Sequence, residues 1–188
     1  MRMAWQMWES GIAPDVCDRL MEEGMKGPPL RGLTFGDTVE GNEPNGHRVS
    51  KIRWCNHAPW VLELMNGYIE QANRNAFNFA LNHEPRAEIQ FTEYHGSENG
   101  QYGPHHDVDF YGDNLFDRKL SLIIQLSDPS EYEGGDFEIA DTENPIREQL
   151  RARGTVLVFP SYLVHGVHPV TKGIRYSMVS WFEGPRWR

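Results

Sequence analysis

Seven short runs rich in β-branched and aromatic residues crowd into the chain after Pro85, each separated from the next by a turn. They are Glu88–Tyr94, Tyr102–Val108, Lys119–Leu126, Asp136–Ile139, Thr155–Phe159, Val164–Val170 and Arg175–Phe182. Parallel strands need crossover connections of a dozen or more residues, usually helical, and most of these connections are too short for that. The spacing therefore predicts an antiparallel sandwich or barrel rather than a βαβ sheet.

The residues before Pro85 have a different texture. Pro14 and Asp15 open a helix with Val16, Leu20 and Met21 on its apolar face, and Gly24 and Gly27 stop it. Val61, Leu64, Tyr68, Ala72, Ala76 and Phe79 recur at spacings of three and four, which predicts a longer helix over Pro59–Leu81 that buttresses the sheet. Val49–Trp54 reads as a strand. The segment Gly36–Gly46 is rich in glycine, asparagine and acid and reads as a mobile loop, either a lid that closes over substrate or a plain connection. The expectation is mainly β with N-terminal helices in one domain over 1–188: helical support and loop in 1–84, strand core in 85–188.

Composition narrows the function. Eighteen basic against 27 acidic side chains leave a net charge of −9, a field that repels polyphosphate and argues against nucleic acid as partner. The longest purely apolar runs, such as Val156–Phe159, are far too short to span a bilayer, so no membrane association is expected. The start MRMAWQMWES does not read as a secretory signal. Cys17 and Cys55 are too few for a disulfide framework, and a cytoplasmic setting is the natural expectation.

Chemistry concentrates in Tyr102-Gly-Pro-His105-His106-Asp107-Val-Asp109. On a strand, residues 105, 107 and 109 share a face, so His105 and Asp107 can reach one ion while His106 points away. An imidazole and a carboxylate so placed are two of the three ligands of a facial non-haem Fe(II) site, which keeps positions open for cosubstrate and O2. His165, just after the apolar strand Gly154–Pro160, is the candidate third ligand, with His168 on the opposite face. Downstream, Arg175 and Ser177 share a face. A guanidinium aimed into a barrel otherwise made of Ile123, Val158, Val164 and Val179 is costly unless an anion meets it, and the remote carboxylate of 2-oxoglutarate would be that anion. The competing reading is an internal Arg–Asp pair or a surface arginine.

These stretches resemble the Fe(II)/2-oxoglutarate-dependent oxygenases, within them the prolyl 4-hydroxylase-like group of PKHD-type and prolyl hydroxylase domain enzymes. The likeness runs through Tyr94, Tyr102, His105-x-Asp107, Arg118–Ser127, Gly134-Gly135-Asp136, Gly154–Pro160 and His165 to Arg175, over roughly residues 85 to 183. It implies a double-stranded β-helix, or jelly roll, with helical support. It also implies iron on His105, Asp107 and His165, and Arg175 on the distal carboxylate of 2-oxoglutarate. Tyr94 matches a tyrosine that hydrogen-bonds the cosubstrate, Tyr102 one that lines the site, and Trp181 a tryptophan that backs the pocket; all three are equally readable as core. Relatives often carry tyrosine where Gln125 stands, a departure that alters the hydrogen bonding around the cosubstrate, and Ser177 could supply the missing hydroxyl.

Gly134-Gly135 reads as a turn into a strand. Arg147, Arg151 and Arg153, with Glu143 and Glu148, read as a solvated face. The activity implied is hydroxylation of a C–H bond, of a prolyl residue in a peptide or protein, with O2 consumed, succinate and CO2 released, and ascorbate as a reductant. Alternatives are a hydroxylase of a free amino acid or other small molecule, and a non-catalytic metal-binding jelly-roll sensor. An oxidative nucleic-acid demethylase would want a second arginine where Trp181 stands.

Overall fold

The computed structural model describes residues 3–33, 47–82 and 88–188. The elements in chain order are β1 (Gln6–Trp8), α1 (Pro14–Gly24), β2 (Leu30–Arg31), β3 (Arg48–Val49), β4 (Lys51–Trp54), α2 (Pro59–Ala72), β5 (Ile89–His95), β6 (Gln101–His105), β7 (Phe116–Gln125), β8 (Tyr132–Gly134), β9 (Phe137–Ile139), α3 (Arg147–Arg151), β10 (Val156–Pro160), β11 (His165–Val167) and β12 (Val170–Pro185). Among the described residues they form two antiparallel sheets. The larger runs β1-β10-β7-β12-β5-β4-β2, with β8 attached to β12, and the smaller runs β3-β6-β11-β9. This is a double-stranded β-helix. No helix among the described residues is long and apolar enough to cross a membrane.

Strand alternation gives the large sheet two different faces. Leu120, Leu122 and Ile124 of β7, Val156 and Val158 of β10, Met178 of β12 and Phe91 of β5 pack in one core with Leu20 of α1 and Val61, Met65 and Ile69 of α2. The intervening residues face the other sheet and include Ser121, Ile123, Thr92, Tyr94, Arg175 and Ser177. Register holds these in line: Arg175 lies opposite Tyr94, and Ser177 lies between Thr92 and Gln125. Val158, expected inside the barrel, belongs to the helix side, because its period-two neighbours carry it there.

The second helix is shorter than its apolar spacing suggests. Regular α-helix ends at Ala72 and is followed by a wide π turn over Asn73–Phe77. The Asn73 carboxamide then binds both main-chain groups of Phe79, and Asn78 takes a left-handed φ of 52°, which closes the helix end. The strand expected over Tyr102–Val108 ends at His105, and Asp107 leaves the ladder to donate its N–H to Ser161 O at 2.9 Å. Val164–Val170 divides into β11 and the start of β12. The loop Gly36–Gly46 falls outside the described residues.

The arginine-rich stretch is less solvated than its composition suggests. Arg151 on α3 is largely buried: it stacks over the Tyr132 ring, pairs with Asp136 at 2.9 Å and donates to the Gly134 and Tyr132 carbonyls. Arg153 ties Asp18 of α1 to the Leu126 carbonyl. Gly134 and Gly135 have φ of 74° and 67°, the left-handed region expected of such a turn.

Helix α1 sits on the sheet through Gly24, where an added Cβ would come 2.1 Å from the buried Phe91 ring. Gly24→Ala should therefore overpack this contact and cost about 1–3 kcal/mol, read from the urea midpoint; an unchanged midpoint would show that the ring has room to retreat.

Candidate metal and cosubstrate site

The site lies between the two sheets. His105 ends β6 and His165 begins β11, and the two are direct ladder partners, which brings together residues far apart in sequence. The Asp107 main chain, held by Ser161, turns its carboxylate back between them. One ligand atom from each of His105, Asp107 and His165 lies within 4.8 Å of the others. His105 Nε2 is 3.6 Å from Asp107 Oδ1, and His165 Nε2 is 3.4 Å from Oδ2.

The hydrogen bonds around these rings decide what the cluster can hold. His105 Nδ1 lies 2.9 Å from Gly103 O, and His165 Nδ1 lies 2.9 Å from Leu163 O. A carbonyl only accepts, so both Nδ1 atoms donate and both Nε2 atoms are turned toward Asp107. Two imidazole nitrogens and a carboxylate thus face a common point, an arrangement that suits a cation. The tethered second nitrogen is also the usual way in which metal-binding histidines are oriented. Ser121 donates to Asp107 Oδ2 at 2.6 Å and orients the carboxylate in turn.

Electrostatics agree. Burial alone would raise the Asp107 carboxyl, but His165, His105 and the Ser121 hydroxyl outweigh it and hold it well below the usual carboxylate range. Burial lowers His165, which favours the neutral imidazole that binds a metal.

The same cavity contains Tyr94, Tyr102, Arg175 and Ser177, with Ile123, Phe137, Val167 and Val179 as apolar wall. Tyr102 stacks on the His105 ring, centroids 3.5 Å apart at 12°, and burial pushes its hydroxyl up to about 12. Arg175 is 4% exposed, and its guanidinium lies 5.7 Å from the Tyr94 ring. No carboxylate among the described residues pairs with it, so the internal Arg–Asp reading does not hold. Gln125 donates its Nε2 to Tyr132 Oη and Ser127 O and lines a neighbouring cleft together with Tyr132 and Arg175. Trp181 sits opposite Ser121, under the Arg118 guanidinium and beside Trp54. His106 turns to Phe110, and His168 pairs with Glu138 at 2.7 Å; neither joins the cluster.

Gln90 and Arg48, which line the cavity, and Ser121, which braces Asp107 from behind, escape a reading of the sequence. Ser121 was legible in principle, because it shares the period-two face of Ile123 on a predicted strand. Arg48 carries no such signal. It reaches the cavity because β3 pairs with β6, placing Arg48 opposite Tyr102.

Residues 89–183 match the sequence model of the 2OG-Fe(II) oxygenase superfamily, and the chain belongs to that family. Over 163 residues it is 28% identical to a PKHD-type hydroxylase of Pseudoalteromonas atlantica, covering 81% of this chain and 70% of the relative. A PKHD-type hydroxylase of Nitrosomonas europaea is 29% identical over 79% of this chain, which spans only 64% of that relative's length. In three dimensions it is similar to a prolyl hydroxylase from Trichoplax adhaerens in complex with a hypoxia inducible factor peptide fragment. The TM-score is 0.70 at 15% identity, covering 95% of this chain and 83% of the other, a likeness of fold.

The geometry predicts which histidines matter to a metal. In an anaerobic Fe(II) titration, His105→Ala, Asp107→Ala and His165→Ala should each lose tight binding, while His106→Ala and His168→Ala keep it. Loss of iron in His106→Ala with retention in His105→Ala would contradict the assignment.

Proposed function

We propose that the protein is an Fe(II)- and 2-oxoglutarate-dependent dioxygenase that hydroxylates a C–H bond, with a prolyl residue of a peptide or protein as its substrate. One observation carries the reading: a buried His105–Asp107–His165 cluster shares its cavity with a buried guanidinium, Arg175, that lacks an acidic partner among the described residues. A cation site and an anion site enclosed together suit a cosubstrate that chelates metal at one end and carries a carboxylate at the other. The prolyl assignment draws its support from the PKHD-type relatives and from the peptide held by the prolyl hydroxylase of the same fold.

In this reading His105, Asp107 and His165 would hold the iron. Iron bound there supplies, with 2-oxoglutarate and O2, the oxidation that ends in a hydroxylated product, succinate and CO2. Arg175 meets the distal carboxylate through paired N–H donors. Tyr94, its cross-strand neighbour, presents a hydroxyl that burial keeps protonated and so able to donate. The apolar wall of Ile123, Phe137, Val167 and Val179 excludes bulk water, which strengthens each of these contacts.

Removing one partner of a desolvated ion pair costs roughly 2–5 kcal/mol, so Arg175→Leu should weaken 2-oxoglutarate binding by about one and a half to three and a half orders of magnitude. Iron affinity should barely change, because the guanidinium does not touch the metal cluster. Arg175→Lys keeps the charge without the planar fork and should fall between. Equal 2-oxoglutarate affinity in wild type and the leucine variant would reject Arg175 as the anchor. Turnover of prolyl peptides against free proline, scored as gain of one oxygen by mass, tests the substrate.

A further inference from the structure

Arg48 is a second buried guanidinium in the cavity, and the chemistry proposed above leaves it without a role. It is 8% exposed. Its Nε donates to Ser50 Oγ at 3.0 Å and its Nη1 to the Leu33 carbonyl at 3.0 Å. Its Nη2 is buried with no acceptor among the described residues. Its Cζ lies 4.5 Å over the Tyr102 ring, and since His105 covers one face of that ring at 3.5 Å, the guanidinium takes the other. Arg48, Tyr102 and His105 thus form a stack that places a fixed cation two layers from the metal cluster.

Among the described residues both hydrogen-bonded partners of Arg48 are neutral, so they orient its charge without balancing it. With a divalent iron and 2-oxoglutarate in place, the iron and Arg175 would supply three positive charges, and Asp107 and the two cosubstrate carboxylates three negative ones. Among the described residues Arg48 is left over, in a desolvated setting where an unmatched charge is expensive. It also lines an adjoining surface cleft of about 340 Å³ with Arg31, Lys51 and Glu98, where Lys51 pairs with Glu98, so Arg48 borders both the cleft and the inner cavity. The missing partner is one carboxylate, brought by the molecule to be oxidised.

We propose that Arg48 binds a carboxylate of the substrate, so that the favoured substrate carries an acidic side chain or a free C-terminus beside the residue that is hydroxylated. This rests on the dioxygenase reading and narrows its substrate class. An aliphatic or neutral flanking residue leaves Nη2 unpaired and the charge unmatched, which is how a site rejects a ligand lacking the group it was built to meet.

The test uses the whole protein loaded with Mn(II) and 2-oxoglutarate, which holds the ternary complex without turnover, and four short proline-containing peptides. One pair is amidated and differs by Asp against Asn next to proline; the other ends in proline as free acid or amide. Wild type should bind at least one acidic member about 30-fold or more tightly than its neutral partner, the effect of one desolvated charge pair. The pair that shows the preference identifies whether side chain or terminus supplies the carboxylate. Arg48→Gln should erase the preference while binding the neutral peptide nearly as before, and Arg48→Lys should restore part of it. A merely structural role would weaken both members equally. Absence of any acidic preference in wild type, or its survival in Arg48→Gln, overturns the proposal. Succinate formation with the same peptides under Fe(II) reports separately on the dioxygenase reading, so an acidic preference without turnover would reject that reading and leave Arg48 as a carboxylate site.

Discussion

The arrangement on which the site depends is a buried carboxylate flanked by two imidazoles whose Nε2 atoms both face it. The Gly103 and Leu163 carbonyls accept from Nδ1 of His105 and His165 and so aim both Nε2 atoms at Asp107, which Ser121 steadies. A cation at the centre would gather two imidazole nitrogens and a carboxylate oxygen at one point. Much of the local architecture exists to impose it: the β6–β11 ladder sets the imidazoles side by side, and the Ser161 carbonyl pulls Asp107 off the strand.

The large sheet supplies the other half of the site because its faces do opposite work. Toward the helices, Leu120, Leu122, Ile124, Met178 and Phe91 bury against α1 and α2, which supplies the apolar area that a fold with polar groups inside it requires. Toward the small sheet, the same strands present Ser121, Tyr94, Arg175 and Ser177. A one-residue slip of β12 against β5 would exchange Arg175 for Tyr176 and empty the cavity of its cation. Core packing and the lining of the cavity are therefore enforced by a single register.

Much of this is legible in the sequence, and what is not has a common cause. The strands from Ile89 to Pro185 announce themselves by composition and turns, and the His-x-Asp spacing with a later histidine picks out the cluster, although Asp107 reaches it by leaving the strand rather than by alternation along it. Apolar spacing continues past Ala72 and overextends α2, while the stop comes from Asn73 and Asn78 side chain and backbone chemistry. Spacing cannot say which face Val158 takes, because a strand buried on both faces shows no alternation from which to choose. Composition makes Arg151 look solvated, because its partners Tyr132 and Gly134 lie on another element, β8. Arg48 was invisible for the same reason: a two-residue strand becomes part of the site only through its pairing with β6.

The central claim is that the cluster and Arg175 together support oxidation of 2-oxoglutarate by O2. The most direct measurement is mass spectrometry of the succinate formed when the protein, Fe(II) and 2-oxoglutarate are incubated under oxygen-18 gas with a prolyl peptide. The account predicts succinate carrying one oxygen-18 atom and a peptide gaining one, both abolished in His165→Ala. Succinate without label, or formed equally by that variant, would contradict it.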